Sequence, residues 1–170
     1  MSAYRLRPET ESDVEGVRAV HVAAFPTPLE SRLVDALRRA GKTILALVAE
    51  SEERVVGHVL FTAVAIEGSP KRALGLAPVA VLPDRQRQGV GTALIRAGLA
   101  RVTALGYDLV VVLGEPDYYR RFGFATASRA GLRNEYGVDG PFMALGLTPD
   151  GLAGAAGLVT YAAEFSLVSS

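Results

Sequence analysis

Of everything in this 170-residue chain, the run Leu109-Val-Val-Val-Leu113 constrains the fold most, because it is aliphatic at every position of the strand period. A run of that kind reads as a strand covered on both faces, with a parallel neighbour reached through a crossover helix. The preceding segments supply both partners. Ala73–Val81 has a strand pattern, and Gly89 to Leu105 sets Val90, Leu94, Ala97 and Leu105 in helical phase before Gly106 ends it. A strand–helix–strand crossover therefore occupies the centre of the chain. Pro78 has no N–H to give a ladder, so a bulge or an unpaired side is expected in the first of these strands.

The flanking segments have a different character. Ala3–Arg7 is a short strand candidate closed by Pro8. Ser12 and Glu15 have capping-box spacing, opening a helix to about Phe25 with Val14, Val17, Val20 and Ala24 as its apolar stripe. Thr27 is expected to cap a second helix, with Pro28 at its first position, Leu29, Leu33, Leu37 and Ala40 in phase, and Gly41 as the stop. Thr43–Glu50 and Arg54–Ile66 form a predicted hairpin around Ser51–Glu53. Past Leu113, Asp117–Phe122 reads as one helical turn stopped by Gly123, and Phe142–Leu147 and Thr160–Phe165 as strands, while residues 125–140 lack a clear pattern. The expectation is one α/β domain over residues 1–170.

Composition removes much chemistry. With 18 basic and 18 acidic side chains the formal charge is zero, which argues against a surface dedicated to nucleic acid or anionic membrane. No apolar run reaches the ~18 residues of a membrane span, and Met1 to Glu9 carry charge without an apolar core, so a cytoplasmic location is the default. The absence of cysteine excludes disulfides, thiolate zinc sites and a cysteine nucleophile. Only His21 and His58 remain for a metal or a Ser–His pair, and no metal is expected. His21 shares the face of Val17 and reads as a partly buried structural histidine.

The segment that proposes chemistry is Val79-Ala-Val-Leu-Pro-Asp-Arg-Gln-Arg-Gln-Gly-Val-Gly-Thr-Ala-Leu94. A strand enters a short loop, and the loop enters a helix whose start holds Gly89 and Gly91. Amides from Arg87 to Thr92 then point out of the positive end of the helix dipole, an arrangement that binds phosphate. Arg85 and Arg87 are expected to add positive charge there. A dinucleotide fingerprint fails because Leu94 stands where its third glycine belongs, and a P-loop fails for want of lysine. Glycine pairs alone would also suit an ordinary flexible helix start.

The full pattern Gln86-x-x-Gly89-x-Gly91, after a strand ending in Val81-Leu-Pro83, resembles the coenzyme A signature of the GNAT N-acetyltransferase superfamily. A second stretch, Gly114-Glu-Pro-Asp-Tyr-Tyr-Arg-Arg-Phe-Gly-Phe124, looks like that family's tyrosine segment, with Phe122 in place of its commoner leucine. The resemblance runs from Arg5 to Phe165 and suits a bacterial subgroup of predicted acetyltransferases. It implies a mixed central sheet with antiparallel N-terminal strands, helices on both faces, and a parallel pair splayed at the coenzyme site. It further implies acetyl-CoA as cosubstrate, held by backbone of Val79, Ala80 and Val81 and by Gln86, Arg87, Gln88, Gly89, Val90, Gly91 and Thr92. Dimers are common in the superfamily.

Acetyl transfer needs a neutral amine, a stabilised oxyanion and a proton for the departing thiolate. The resemblance places the acid at Tyr119 and an oxyanion-binding amide on Val79–Val81. Many relatives carry a glutamate on the strand before the signature, and Ala73–Val81 has none. Glu115 is then a candidate base, with an exposed turn residue as the equal alternative. Glu30 could reach the acceptor, although a capping position explains it more simply. His58 could relay a proton through water, with a cross-strand structural role favoured. Phe25, Tyr136 and Phe142 line the acceptor pocket or pack the core. The acceptor would be a small-molecule or peptide amine attacking directly in a ternary complex. The alternative is a catalytically silent acetyl-CoA sensor of the same fold.

Overall fold

The computed structural model describes residues 3–168. Nine strands of a mixed sheet and four α-helices alternate along it: β1 (Arg5–Pro8), α1 (Val14–Ala24), α2 (Leu29–Arg39), β2 (Thr43–Ser51), β3 (Arg54–Ile66), β4 (Ala73–Val81), α3 (Val90–Ala104), β5 (Leu109–Leu113), α4 (Pro116–Tyr119), β6 (Ala125–Thr126), β7 (Leu132–Asn134), β8 (Phe142–Gly146) and β9 (Gly157–Thr160). The backbone divides into two compact units. One takes the chain up to Phe61, Ala77–Gly98 and the segment from Ala163 onward; the other takes Thr62–Leu76 and Leu99–Ala162. β3, β4 and α3 each run through both.

The first unit has the strand order β1-β2-β3-β4, with β1 antiparallel to β2 from Arg5↔Glu50 to Pro8↔Leu47. Strand alternation decides what each face of β3 meets. Gly57 and Phe61 lie against α3, where Val90, Leu94 and Gly98 receive them. His58, one step out of phase, meets His21 of α1 instead. Helices thus cover both faces of this unit's strands. Val17, Val20, Leu33, Leu37, Leu47, Phe61 and Leu94 fill its core.

The second unit contains the order β4-β5-β8-β6 and the branch β3-β9-β7. β5 is buried from Leu109 to Val112, as its aliphatic run requires, and runs parallel to β4 and antiparallel to β8. The β4–β5 ladder is short. It pairs Ala73 with Leu109, Leu74 with Val110 and Gly75 with Val111, and ends there. The Ala77–Pro78 peptide is cis, two residues past the last pair.

Three local expectations are corrected. The start of α1 is boxed by Thr10 and Asp13, whose carboxylate accepts from the Thr10 amide at 2.7 Å and hydroxyl at 3.1 Å. A 3-10 turn at Glu11–Asp13 precedes the helix. Glu15 instead pairs with Arg18 in solvent. Thr160–Phe165 is not a strand: β9 ends at Thr160, and Ala163–Leu167 forms a 3-10 turn. Pro28 sits at the cap of α2 rather than its first position, while the Thr27 hydroxyl accepts from the Leu29 amide at 3.3 Å.

Arg7 explains why Asp13 is buried so near the surface. Its guanidinium donates to both carboxylate oxygens at 2.7 and 2.8 Å, and also reaches Glu50 at 3.1 Å. That fork, aided by the Thr10 donors against the opposing effect of burial, holds the Asp13 carboxyl down at about 2. A depressed carboxylate stabilises the fold above its unfolded value near ~4 and loses the contribution as pH falls through 2. We expect Arg7→Ala to lower the unfolding free energy at pH 7 by about 2 kcal/mol. Urea titrations at pH 7 and pH 2.5 check this, because the native–variant difference must shrink at the lower pH.

Candidate active site

β4 leads from its last paired residue into the segment that motif reading singles out. The register with β5 ends at Gly75, before Val79, Ala80 and Val81. The strand is closed by the Leu82 amide donating to the Val56 carbonyl at 2.9 Å. A 3-10 turn at Pro83–Arg85 follows. Two side chains then fasten the loop to its own base: Gln86 donates to the Val81 carbonyl at 3.0 Å and Gln88 to the Asp84 carbonyl at 3.2 Å. Gln86 therefore shapes the loop through the end of β4.

The turn itself needs left-handed backbone at Arg87 (φ 64°) and Gly89 (φ 84°). Around Gly89 there is open space where a Cβ would be, so its glycine serves the backbone angle alone. The Ala93 amide donates to the Gly89 carbonyl at 2.9 Å, making the first helical bond of α3. The amides of Val90 and Gly91 come before it, at the positive end of a 15-residue helix. Thr92 completes the first turn. Gln86, Arg87, Gln88 and Gly89 are all exposed.

Arg85 does not contribute charge here. It is buried, donates to the Ser51 hydroxyl at 3.0 Å and lies 3.8 Å from Glu52, so its cation serves the β2–β3 turn. Arg87 remains the exposed cation of the loop.

In the second unit, β5 delivers Gly114, Glu115 and the short helix α4. Glu115 occupies the cap of α4, where its backbone carbonyl accepts from the Tyr118 and Tyr119 amides at 3.1 and 3.0 Å. Its side chain is exposed. Tyr119 is half-buried, and its ring lies 5.7 Å from Phe124 and 5.1 Å from Tyr118, both edge-on. Burial, with a smaller contribution from Tyr118, pushes its phenol up to about 12. The hydroxyl therefore keeps its proton throughout the neutral range. Gly114 makes the ring's position possible: a Cβ there would collide with Tyr119 Cε2 and lie 2.9 Å from Cδ2. Motif reading passes over this role, although the Gly114–Tyr119 spacing holds the signal.

The other candidates disperse. Phe142 is core, 1% exposed, whereas Tyr136 stands exposed on the loop that Asn134 ties with bonds to the Tyr136 and Val138 amides. Glu30 is half-buried in the first turn of α2. A cavity of ≈ 330 Å³ lined by Ala125, Thr126, Arg129, Ala130, Ala144 and Leu152 includes none of the predicted residues.

Both histidines are fully buried, and they touch. His58 Nε2 meets Glu9 Oε1 at 2.8 Å, and His58 Nδ1 meets His21 Nε2 at 2.9 Å. Arg38 donates to the other Glu9 oxygen at 3.1 Å and to Asp35 at 2.9 Å. The ring of His21 stacks on Phe25, with centroids 5.9 Å apart. Burial, then the neighbouring His58 and Arg38, outweigh Glu9 and lower His21 to about 3, so it is neutral at ordinary pH. Burial pushes Glu9 up, but contact with His58 and Arg38 wins and leaves it below the usual carboxylate value.

Comparison with known proteins fits this arrangement. The family model for the acetyltransferase (GNAT) domain matches residues 5–127. An uncharacterised N-acetyltransferase of Escherichia coli K12, YhbS, is 36% identical over 163 residues, covering 95% of this chain and 98% of the relative. The crystal structure of E. coli YhbS in complex with CoA superposes with a TM-score of 0.93 at 34% identity, over 98% of this chain and 93% of that one. A GNAT acetyltransferase from Brucella melitensis in complex with acetyl-CoA gives 0.81 at 38% identity, over 97% and 99%. The chain belongs to the GNAT acetyltransferase family. Among the described residues, no group of three or more histidine or acidic side chains is placed to hold a metal ion, and no helix is long and apolar enough to cross a membrane.

The packing of Gly114 on Tyr119 is open to a spectroscopic check that needs no substrate. Ultraviolet titration of the native protein should show one phenol ionising near pH 12, and Tyr119→Phe should remove that step. Gly114→Ala should return it towards the ordinary value of about 10 by driving the ring outwards. An unaltered titration in Gly114→Ala would mean the ring is held by other contacts.

Proposed function

We propose that this chain is an N-acetyltransferase that moves an acetyl group from acetyl-CoA to the primary amine of a small-molecule or peptide acceptor, by direct attack in a ternary complex. One observation carries the reading: β4 loses its ladder at Gly75 and continues into an open helix start at Gly89. A strand edge without a partner suits an extended, hydrogen-bonding arm, and free amides at a helix start suit a pyrophosphate. The bound CoA and acetyl-CoA of the two relatives support the donor assignment. With no cysteine in the chain, an acetyl-cysteine intermediate has no place, which favours direct attack.

Roles follow from chemistry. The amides of Val90 and Gly91, with Arg87 nearby, hold phosphate, while a backbone amide of Val79–Val81 receives the oxyanion. Tyr119, a phenol that is protonated at neutral pH and that burial pushes further up, gives its proton to the thiolate as the carbon–sulfur bond breaks. Glu115, exposed just past β5, draws the acceptor in its ammonium form and takes the first proton into exchange with solvent. The amine then attacks neutral.

Two variants separate binding from chemistry. Tyr119→Phe should lower kcat by about 10²- to 10⁴-fold and leave acetyl-CoA affinity unchanged. Gly89→Ala should do the reverse. Its left-handed backbone makes any Cβ cost roughly 1–2 kcal/mol, so affinity should fall about tenfold with kcat preserved at saturation. Calorimetry with acetyl-CoA and a free-thiol assay over a panel of primary amines read the two effects. Full activity of Tyr119→Phe at every pH would remove the proposed acid.

A further inference from the structure

The cavity of ≈ 330 Å³ in the second unit is built from short side chains on fixed backbone. One wall is the β6–β8 ladder, where Ala125 pairs with Ala144 and Thr126 follows. A second is the 3-10 turn Ala127–Ala130, which supplies Arg129 and Ala130. That turn ends at Gly131 with φ 77°, whose amide donates to the Ser128 carbonyl at 3.0 Å. The Gly131 carbonyl in turn accepts from the Gly157 amide at 3.0 Å, and a Cβ on Gly131 would stand 2.7 Å from that of Ala156. The turn is therefore pressed against the chain before β9. Leu152 closes the third side: its Cγ lies 3.3 Å from where a Gly146 Cβ would be, and its carbonyl accepts from the Ala155 amide at 3.2 Å. Main-chain bonds tie the walls, and the alanines that line them are too short to fill the space between.

The lining is apolar with one polar end. Ala125, Ala130, Ala144 and Leu152 offer methyl groups, whereas Thr126 offers a hydroxyl and Arg129 a guanidinium. Small-molecule sites have this character, and the volume falls at the lower end of their range. Arg129 has no ion pair or hydrogen bond among the described residues, and Asp150, two positions before Leu152, does not pair with it. The local charge is of one sign: from Arg120 to Arg133 the chain carries four arginines and no acidic residue. Arg120 is engaged by Asp117 at 2.7 Å and Arg121 lies 5.1 Å over the Tyr118 ring, which leaves Arg129 as the arginine that lines the cavity. One guanidinium beside one hydroxyl suits a carboxylate, whose two oxygens match the fork of the arginine. A phosphate dianion would ask for more donors than the lining holds.

We propose that this cavity binds a small carboxylic acid with an apolar body, its carboxylate on Arg129 and its body against Ala125, Ala130, Ala144 and Leu152. The site shares no residue with the one proposed for acetyl-CoA and does not depend on the acetyltransferase reading.

The test is a titration of the native protein with benzoate and with hexanoate, followed by carbon-13 NMR of the alanine and leucine methyl groups. Either acid should shift the methyls of Ala125, Ala130, Ala144 and Leu152 saturably at millimolar concentration. Arg129 is exposed, so Arg129→Gln should keep the native spectrum and weaken the binding about 10- to 100-fold. Benzamide has the shape of benzoate without its charge. It should bind the native protein as weakly as benzoate binds Arg129→Gln, and the variant should not distinguish the two. Ala130→Leu, which puts a longer side chain into the space, should abolish the shifts. Three results would overturn the proposal: no saturable shift at these residues with either acid, shifts confined to residues 87–92 at the start of α3, or equal binding of benzoate and benzamide by the native protein. The comparison of acid with amide decides the matter even where Ala130→Leu fails to fold.

Discussion

The early end of the β4–β5 ladder is the constraint on which the rest depends. Parallel pairing holds for three residue pairs and ends at Gly75↔Val111. Pro78, which has no amide proton to contribute, lies three residues further along. A strand interior normally satisfies both edges, so the second half of β4 is left with backbone groups that need another partner. Its opposite edge is secured by β3, and its C-terminal end by the bond from Leu82 to Val56. In the proposed function, recognition by main chain lets Val79, Ala80 and Val81 be no more than aliphatic.

Small residues place the candidate functional groups. Gly89 allows the left-handed turn that opens α3, and Gly57 lets β3 approach Val90 and Leu94 of that helix. Gly114 lets the Tyr119 ring lie over the chain just past β5, where burial pushes the phenol up to about 12. None of these glycines performs chemistry. Each fixes the distance at which a neighbouring backbone or ring can work.

The sequence made the central crossover legible because periodicity changes sharply there, from β4 through α3 to β5. Gln86, Gly89, Gly91 and Tyr119 became candidates only through the resemblance to the GNAT segments, not through periodicity or composition. Arg85 misled because charge along a sequence says nothing of direction: its guanidinium turns to Ser51 and Glu52. The start of α1 misled because Ser12–Glu15 and Thr10–Asp13 both have box spacing, and the Arg7 fork selects the second. Thr160–Phe165 carried aromatic residues that suit a strand equally well as a packed turn, and Phe165 is buried in the latter. The His21–His58 contact spans 37 positions and joins a helix to a strand, so no local pattern could announce it.

The central claim is that acetyl-CoA lies along the unpaired half of β4 and ends its phosphates at the start of α3. Amide hydrogen exchange with and without acetyl-CoA tests this most directly. The account predicts slowed exchange concentrated in Val79–Val81 and residues 87–92, with β1, β2 and β9 unchanged. Protection located elsewhere, or none at saturating acetyl-CoA, would contradict it.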